Sequence, residues 1–214
     1  MDEELIAVKT DTRFEKLRNF LINNKKKIII IFSMILLLVI ILFIFQDIKE
    51  KKRTKLSNQY NLISINFISG KKDNVSEKLI RIIQSNDETY APLALFFLID
   101  NKIIDSNEKV DELFNIVIND VKMDKEIKNL VIYKKALFNS DFDTENNLLN
   151  TLNPIIQSNS IWKSHALYLM AEYFYSKEEL QKSKEFFSKI LSTENANKII
   201  KLEAQKRIRR DFSE

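Results

Sequence analysis

Apolar and polar residues follow two patterns along this chain. From Ile28 to Phe45 the sequence runs without a charge and with one polar residue, Ser33. Beyond it, apolar residues return at every third or fourth position. An 18-residue helix is about 27 Å long, close to the roughly 30 Å hydrocarbon core of a bilayer. The apolar part of a cleaved signal peptide is shorter, about 7–15 residues, and ends at small residues. Here the run ends in Phe43-Ile44-Phe45-Gln46-Asp47. The pattern predicts an uncleaved transmembrane helix over 28–46, with Ile28, Leu36, Leu37, Leu38 and Phe45 among its anchoring residues. It separates a short charged tail, 1–27, from a soluble helical domain, 47–214. No second apolar run of comparable length follows, so the expectation is a single span.

Before the span, Phe14, Leu17 and Leu21, with Phe20 beside them, oppose Arg13, Lys16 and Arg18. This is either a helix lying on the membrane surface or a loosely ordered tail ahead of the span. After the span, Leu56, Tyr60, Ile63 and Phe67 recur at helical spacing, with Ile68-Ser69-Gly70-Lys71 as a stop. Leu79, Ile80 and Ile83 mark a helix behind a capping candidate at Ser76. Leu93, Ala94, Phe97 and Leu98 mark the next, with Pro92 in its first turn. Val110, Leu113, Phe114, Val117 and Ile118 mark another, with Ser106 as N-cap. Ile127, Leu130, Val131, Leu137 and Phe138 form a further stripe, and Leu148, Leu149 and Leu152 a short helix ending before Pro154. Three more helices are expected over about 160–175, 177–191 and 195–210. Short polar linkers between them describe antiparallel pairs, in a bundle or a solenoid.

Composition narrows the fold class. One Gly and two Pro in 214 residues leave few positive-φ positions for tight β-turns, so the chain reads as all-α. Residues 1–55 carry 12 Lys/Arg against 7 Asp/Glu, and residues 56–214 carry 22 against 23. The basic excess flanks the span and leaves the folded domain near neutrality, which argues against nucleic acid as a partner. Seven of the flanking cations precede the span and five follow it, a slight lean toward a cytoplasmic N-terminus. The absence of Cys excludes disulfides, thiolate metal sites and Cys nucleophiles.

Ala166 to Leu191 gives the clearest repeat unit. Leu167, Ala171, Phe174, Leu180, Ser183, Phe187 and Ile190 fall at the spacing of a tetratricopeptide repeat, with Ala171 and Ser183 as small residues at the helix crossing. It departs at Glu178, where Gly is common, at Ser183, where Ala is usual, and at Ile190, where a small residue is usual. Ala91, Ala94 and Phe97, with Leu113 and Val117 on a second helix, make a degenerate copy, and a third centres on Ala136. The separations from Ala94 to Ala136 to Ala171, 42 and 35 residues, do not keep a 34-residue period. The fold expectation is thus a single N-terminal transmembrane helix followed by an α-solenoid of degenerate tetratricopeptide-like pairs.

Three stretches carry a wider resemblance: Glu15-Lys16-Leu17-Arg18-Asn19-Phe20 before the span, the run from Tyr90 to Leu98, and Ile161-Trp162-Lys163-Ser164-His165-Ala166-Leu167. In organisation, nearly the whole chain resembles the ancillary translocon subunit type of tetratricopeptide-like protein of Gram-negative bacteria. The resemblance implies a single-pass inner-membrane protein with its N-terminus in the cytoplasm and its repeats in the periplasm. There the repeats would contact translocon subunits or exported chains, as an adaptor or chaperone. Two other readings stay open. One is a structural scaffold of envelope assembly or cell division without clients; the other is a domain held in the cytoplasm as a docking platform.

No constellation for catalysis, cofactor or small-molecule substrate is visible, and the chain does not read as an enzyme. His165 is the only histidine and reads as a core or groove residue. Asp141, Asp143 and Glu145 start like a calcium loop but lack its Gly and its final Glu, where Leu152 stands. Ser69-Gly70-Lys71-Lys72 lacks a Gly-rich phosphate cradle. In the last helix, Lys198, Lys201, Lys206, Arg207, Arg209 and Arg210 meet only Glu203. That helix reads as a cap with a solvated face, or one touching anionic lipid or an acidic partner. For partner contact the candidates are Trp162, Tyr168, Tyr173 and Tyr175, which could equally be core.

Overall fold

The computed structural model describes residues 2–212, and the side chains of 14–16 and 18–212. Arg13 and Leu17 of the amphipathic reading, and Lys9 of the flanking cations, lie outside the described side chains. Among the described residues all regular structure is helical: α1 Asp2–Ile68, α2 Val75–Ile83, α3 Tyr90–Asp100, α4 Asn107–Asp120, α5 Lys125–Asn139, α6 Glu145–Ile156, α7 Lys163–Ser176, α8 Leu180–Ser192 and α9 Lys198–Asp211. The chain divides into two compact units, Met1–Lys55 and Leu56–Glu214. The described residues of the first are helix alone.

Side-chain caps set several helix starts. Ser106 Oγ accepts from the Lys109 N–H at 3.2 Å, Asp124 from Glu126 at 2.8 Å and Thr144 from Asn147 at 3.3 Å. Asn197 accepts from both Ile199 and Ile200. Each satisfies a donor that the first turn leaves free. Ser76 is not a cap: α2 begins one residue earlier, behind Asn74 in the left-handed region.

Helix ends show how one glycine suffices. α1 stops at Gly70, φ 86°, where Gly70 N–H bonds the Phe67 carbonyl and Lys71 N–H reaches back to Asn66. The same paired pattern, a Schellman turn, closes α3 on Lys102 (φ 49°) and α7 on Glu178 (φ 62°). Glycine is thus replaced by Lys and Glu at positions that strain a Cβ. α6 also departs from expectation, running through Pro154 to Ile156. The carbonyl that loses its donor belongs to Asn150, an exposed residue, so the helix continues with little penalty on that side.

In the second unit the core forms three successive clusters. The first joins Leu56 and Ile63 to α2, α3 and α4 around Leu79, Ala94, Leu98, Leu113 and Phe114. Ile132, Ala136, Leu148, Leu152, Met170 and Phe174 make the second, across α5, α6 and α7. Leu167, Ala171, Phe187, Ile190 and Ala204 make the third, across α7, α8 and α9. Ile118 packs at the edge of the first and second, and Ile156 and Phe186 at the edge of the second and third. From α2 onward, each helix packs on the next, with further contacts between α2 and α4, α5 and α7, and α7 and α9.

α7 and α8 form the most extensive of these contacts. Ala171 and Ser183 are fully buried at 0% exposure, as the crossing of small residues requires. Leu180 does not join them: it is 49% exposed. α3 packs more extensively on α2 than on α4, so the pair headed by Ala91 and Ala94 closes upstream. Leu93, Ile127 and Leu137 of the predicted stripes are exposed. In α5 the buried face is instead Asn129, Val131, Ile132, Ala136 and Asn139.

Candidate functional site

Residues 28–45 present apolar side chains that meet no protein partner. Leu36, Leu37, Leu38 and Phe45 are exposed and Ile28 is half-buried. α1 is one helix long and apolar enough to cross a membrane, and in such a helix every backbone group of the span is satisfied internally. In a helix that crosses a bilayer, exposed Leu and Ile side chains face hydrocarbon, which removes the cost of leaving them in water.

The aromatic candidates occupy three places. Trp162 stands at the N-terminus of α7, where its indole stacks on Tyr133 of α5, 6.0 Å away with the planes 19° apart. The preceding turn is clipped to α5: Glu126 accepts from the Ser160 hydroxyl at 2.7 Å and from the Ile161 N–H at 3.1 Å. Ser160 Oγ in turn accepts from the Trp162 N–H. His165 packs against both rings. Its burial lowers its pKa against the opposing pull of the Ile161 backbone.

Tyr168 and Tyr175, two turns apart on α7, face α9. Tyr168 sits edge-on to Phe187 at 5.4 Å, and burial, then the charge of Glu172, raises its phenol pKa. The Arg207 guanidinium lies 4.4 Å from the Tyr175 ring centre, a cation–π contact. Between the two tyrosines, Glu172 holds Arg207 Nη1 at 2.6 Å and 2.9 Å from its two oxygens, and Arg207 Nε donates to Asp211 at 2.6 Å. Glu172 and Asp211 therefore correct the reading of α9, whose cations are not opposed by Glu203 alone. Arg210 also pairs with Asp211, while Lys206 keeps Glu203.

Tyr173 points elsewhere. It is 8% exposed, packs in the second cluster and donates its hydroxyl to the Asp143 carbonyl at 3.3 Å. It is a core residue and offers no contact surface. No single face gathers the four aromatics: Trp162 belongs with α5, Tyr168 and Tyr175 with α9, and Tyr173 with the α5–α6 turn. Sequence spacing missed Tyr133, Glu172, Asp211 and Phe212, whose ring meets that of Tyr175 edge-on at 6.1 Å. The available signals were Glu172 midway between Tyr168 and Tyr175, and the Arg207–Asp211 spacing of four.

A polar groove of about 740 Å³ opens along α4, α5 and α6, lined by Asp111, Lys135, Asn139, Phe142, Asn147 and Asn150 among others. Asp111 accepts from Asn139 at 2.8 Å and pairs with Lys135 at 3.0 Å. Burial raises its pKa, but these partners outweigh that and leave it lowered. Two carboxylates of the calcium-like run have protein partners: Asp143 accepts from Thr144 and Asn147, and Glu145 pairs with Lys182. The chemistry on offer is thus recognition by aromatic, amide and paired ionic groups. Searches of family models, curated proteins and solved structures find no match to this chain.

Proposed function

We propose that this chain is a membrane-anchored protein-interaction module, a periplasmic adaptor or chaperone-like subunit beside the secretion translocon of a bacterial inner membrane. The observation that carries the first part is the pairing of an unpartnered apolar helix with a domain whose core is serial. Three clusters, each shared between neighbouring helices, support an α-solenoid, whose stacked pairs present an extended surface for other proteins. The translocon and the periplasm rest on the resemblance at residues 15–20, 90–98 and 161–167 and on the lean of flanking charge. Tyr168, Tyr175 and Trp162 are the contact residues of this reading.

Photoreactive residues placed singly at Trp162, Tyr168 and Tyr175 in cells test it, with buried Tyr173 as the silent control. Adducts containing translocon subunits or exported chains support the proposal. Adducts confined to envelope-assembly or division proteins overturn it in favour of the scaffold. A C-terminal tag that is digested only after the outer membrane is permeabilised supports the periplasmic placement. A tag that stays protected until the inner membrane is opened overturns it.

A further inference from the structure

The 15 residues from Leu56 to Gly70 contain no charge, in a chain that is 30% charged. Those up to Ile68 form the last turns of α1, which have two apolar faces. Leu56, Tyr60, Ile63 and Phe67 pack into the first cluster. On the other side Leu62, Ile65 and Ile68 are 61%, 62% and 81% exposed. A helix that merely bordered solvent would carry Lys and Glu there; charge depletion with exposed Leu and Ile is the composition of a buried interface centre.

Beside this ridge lies a groove of about 410 Å³ between α1 and α2, with Leu62, Ile63, Val75 and Ile82 in its lining and Lys71, Lys78 and Arg81 among its polar groups. Asn58, Asn61, Ile65 and Ile68 are spaced three, four and three residues apart, the a/d spacing of a helix–helix seam. A ridge and a groove adjacent on one helix are what a two-fold contact uses, each copy placing its ridge against the other's groove.

We infer that this face is covered by the same face of a second copy of the chain, with the two α1 segments side by side and parallel. The uncharged ridge brings no like charge to the other copy's groove, whose lining includes Lys71, Lys78 and Arg81, whereas a basic ridge would be repelled there. Asn58 and Asn61 carry both donor and acceptor groups and so pair with themselves. The parallel sense rests on the membrane-anchored reading, because copies inserted in one bilayer share one orientation. A lipid surface fits less well, since interfacial helices place Lys and Arg along their polar face and this segment has none.

The absence of native Cys makes disulfide trapping direct. Full-length chains with Ile65→Cys, Ile68→Cys or, as a control on exposed α8, Ser188→Cys are oxidised in native membranes. Covalent dimer from positions 65 and 68 but not 188 is expected, together with loss of the dimer from Ile65→Cys when Ile68→Lys is added. Solubilised wild type measured by native mass should contain two chains and Ile65→Lys/Ile68→Lys one, with helicity unchanged because both side chains are exposed. Dimer no greater at 65 and 68 than at 188, or a different protein trapped there, overturns the inference. Alkaline extraction of the same membranes reads anchoring separately, so a failed anchor and a failed dimer give different results.

Discussion

The Ser183 hydroxyl donates a 2.8 Å hydrogen bond to the Ala171 carbonyl at the buried crossing of α7 and α8. A neutral bond of this kind contributes about 1 kcal/mol, and removing the donor also removes its desolvation cost. Ser183→Ala should therefore shift stability by less than about 1 kcal/mol. Ser183→Leu overpacks the crossing and should cost about 1–3 kcal/mol. Urea denaturation of the two variants separates size from hydrogen bonding as the constraint at this position.

Glu178 and Lys102 occupy left-handed turns at φ 62° and 49°. An L-residue in this region is disfavoured by about 1–2 kcal/mol, part of which glycine returns as unfolded-state entropy. Glu178→Gly and Lys102→Gly should each stabilise by about 0.5–1 kcal/mol, with no gain from the corresponding Ala variants. Thermal denaturation by circular dichroism checks both.

Phe187 is fully buried in the third cluster, and its truncation to Ala should cost about 3–5 kcal/mol. In a serial core the damage stays local. Hydrogen exchange should show lost protection in α8 and α9 while α2, α3 and α4 keep theirs. Uniform loss across α2–α9 would instead describe one cooperative bundle.

His165 is held below its usual pKa of 6.5 by burial, so the fold prefers its neutral form. The unfolded chain binds the proton more readily, and the contribution of His165 to stability is full above 6.5 and falls as pH drops toward the folded value. Denaturant midpoints measured from about pH 7.5 to about pH 5.5 should decline in the wild type and decline less in His165→Phe.

Asp111, lowered below its usual 3.8, acts in a more acidic window. Its contribution is present above 3.8 and lost as pH falls through the folded value. Asp111→Asn should be less stable at neutral pH, through the lost Lys135 pair and the loss of one of the two amide donors, Asn115 or Asn139, that the carboxylate accepts from, and should lose less stability on acidification below about pH 4. The difference between the two pH curves is the measurement.

Much of the architecture was legible in local pattern. The long apolar helix, the stop of α1 at Gly70, the cap at Ser106 and the small-residue crossing of α7 and α8 depend on residues near each other in sequence, whose geometry spacing alone defines. The end of α6 was misread because Pro154 forbids only one donor, and the exposed position of Asn150 removes much of the penalty. The cap at Ser76 was misread because Asn74, two residues earlier, takes the left-handed conformation that starts the helix. In α5 the apolar stripe through Ile127 and Leu137 lost to a face containing Asn129 and Asn139, which tertiary packing buries.

The sequence by itself determined that the chain is helical, where its apolar helix lies, and that α7 and α8 meet at Ala171 and Ser183. These are consequences of period, length and side-chain size. Only the tertiary structure decided which aromatics are core, setting Tyr173 inside and Tyr175 under Arg207, because residues two apart on a helix face opposite sides and only a neighbour fixes which side is buried. It also decided that α9's cations are answered by Glu172 and Asp211, and that Leu62, Ile65 and Ile68 stand uncovered. Those facts depend on contacts between distant segments, which no local spacing encodes.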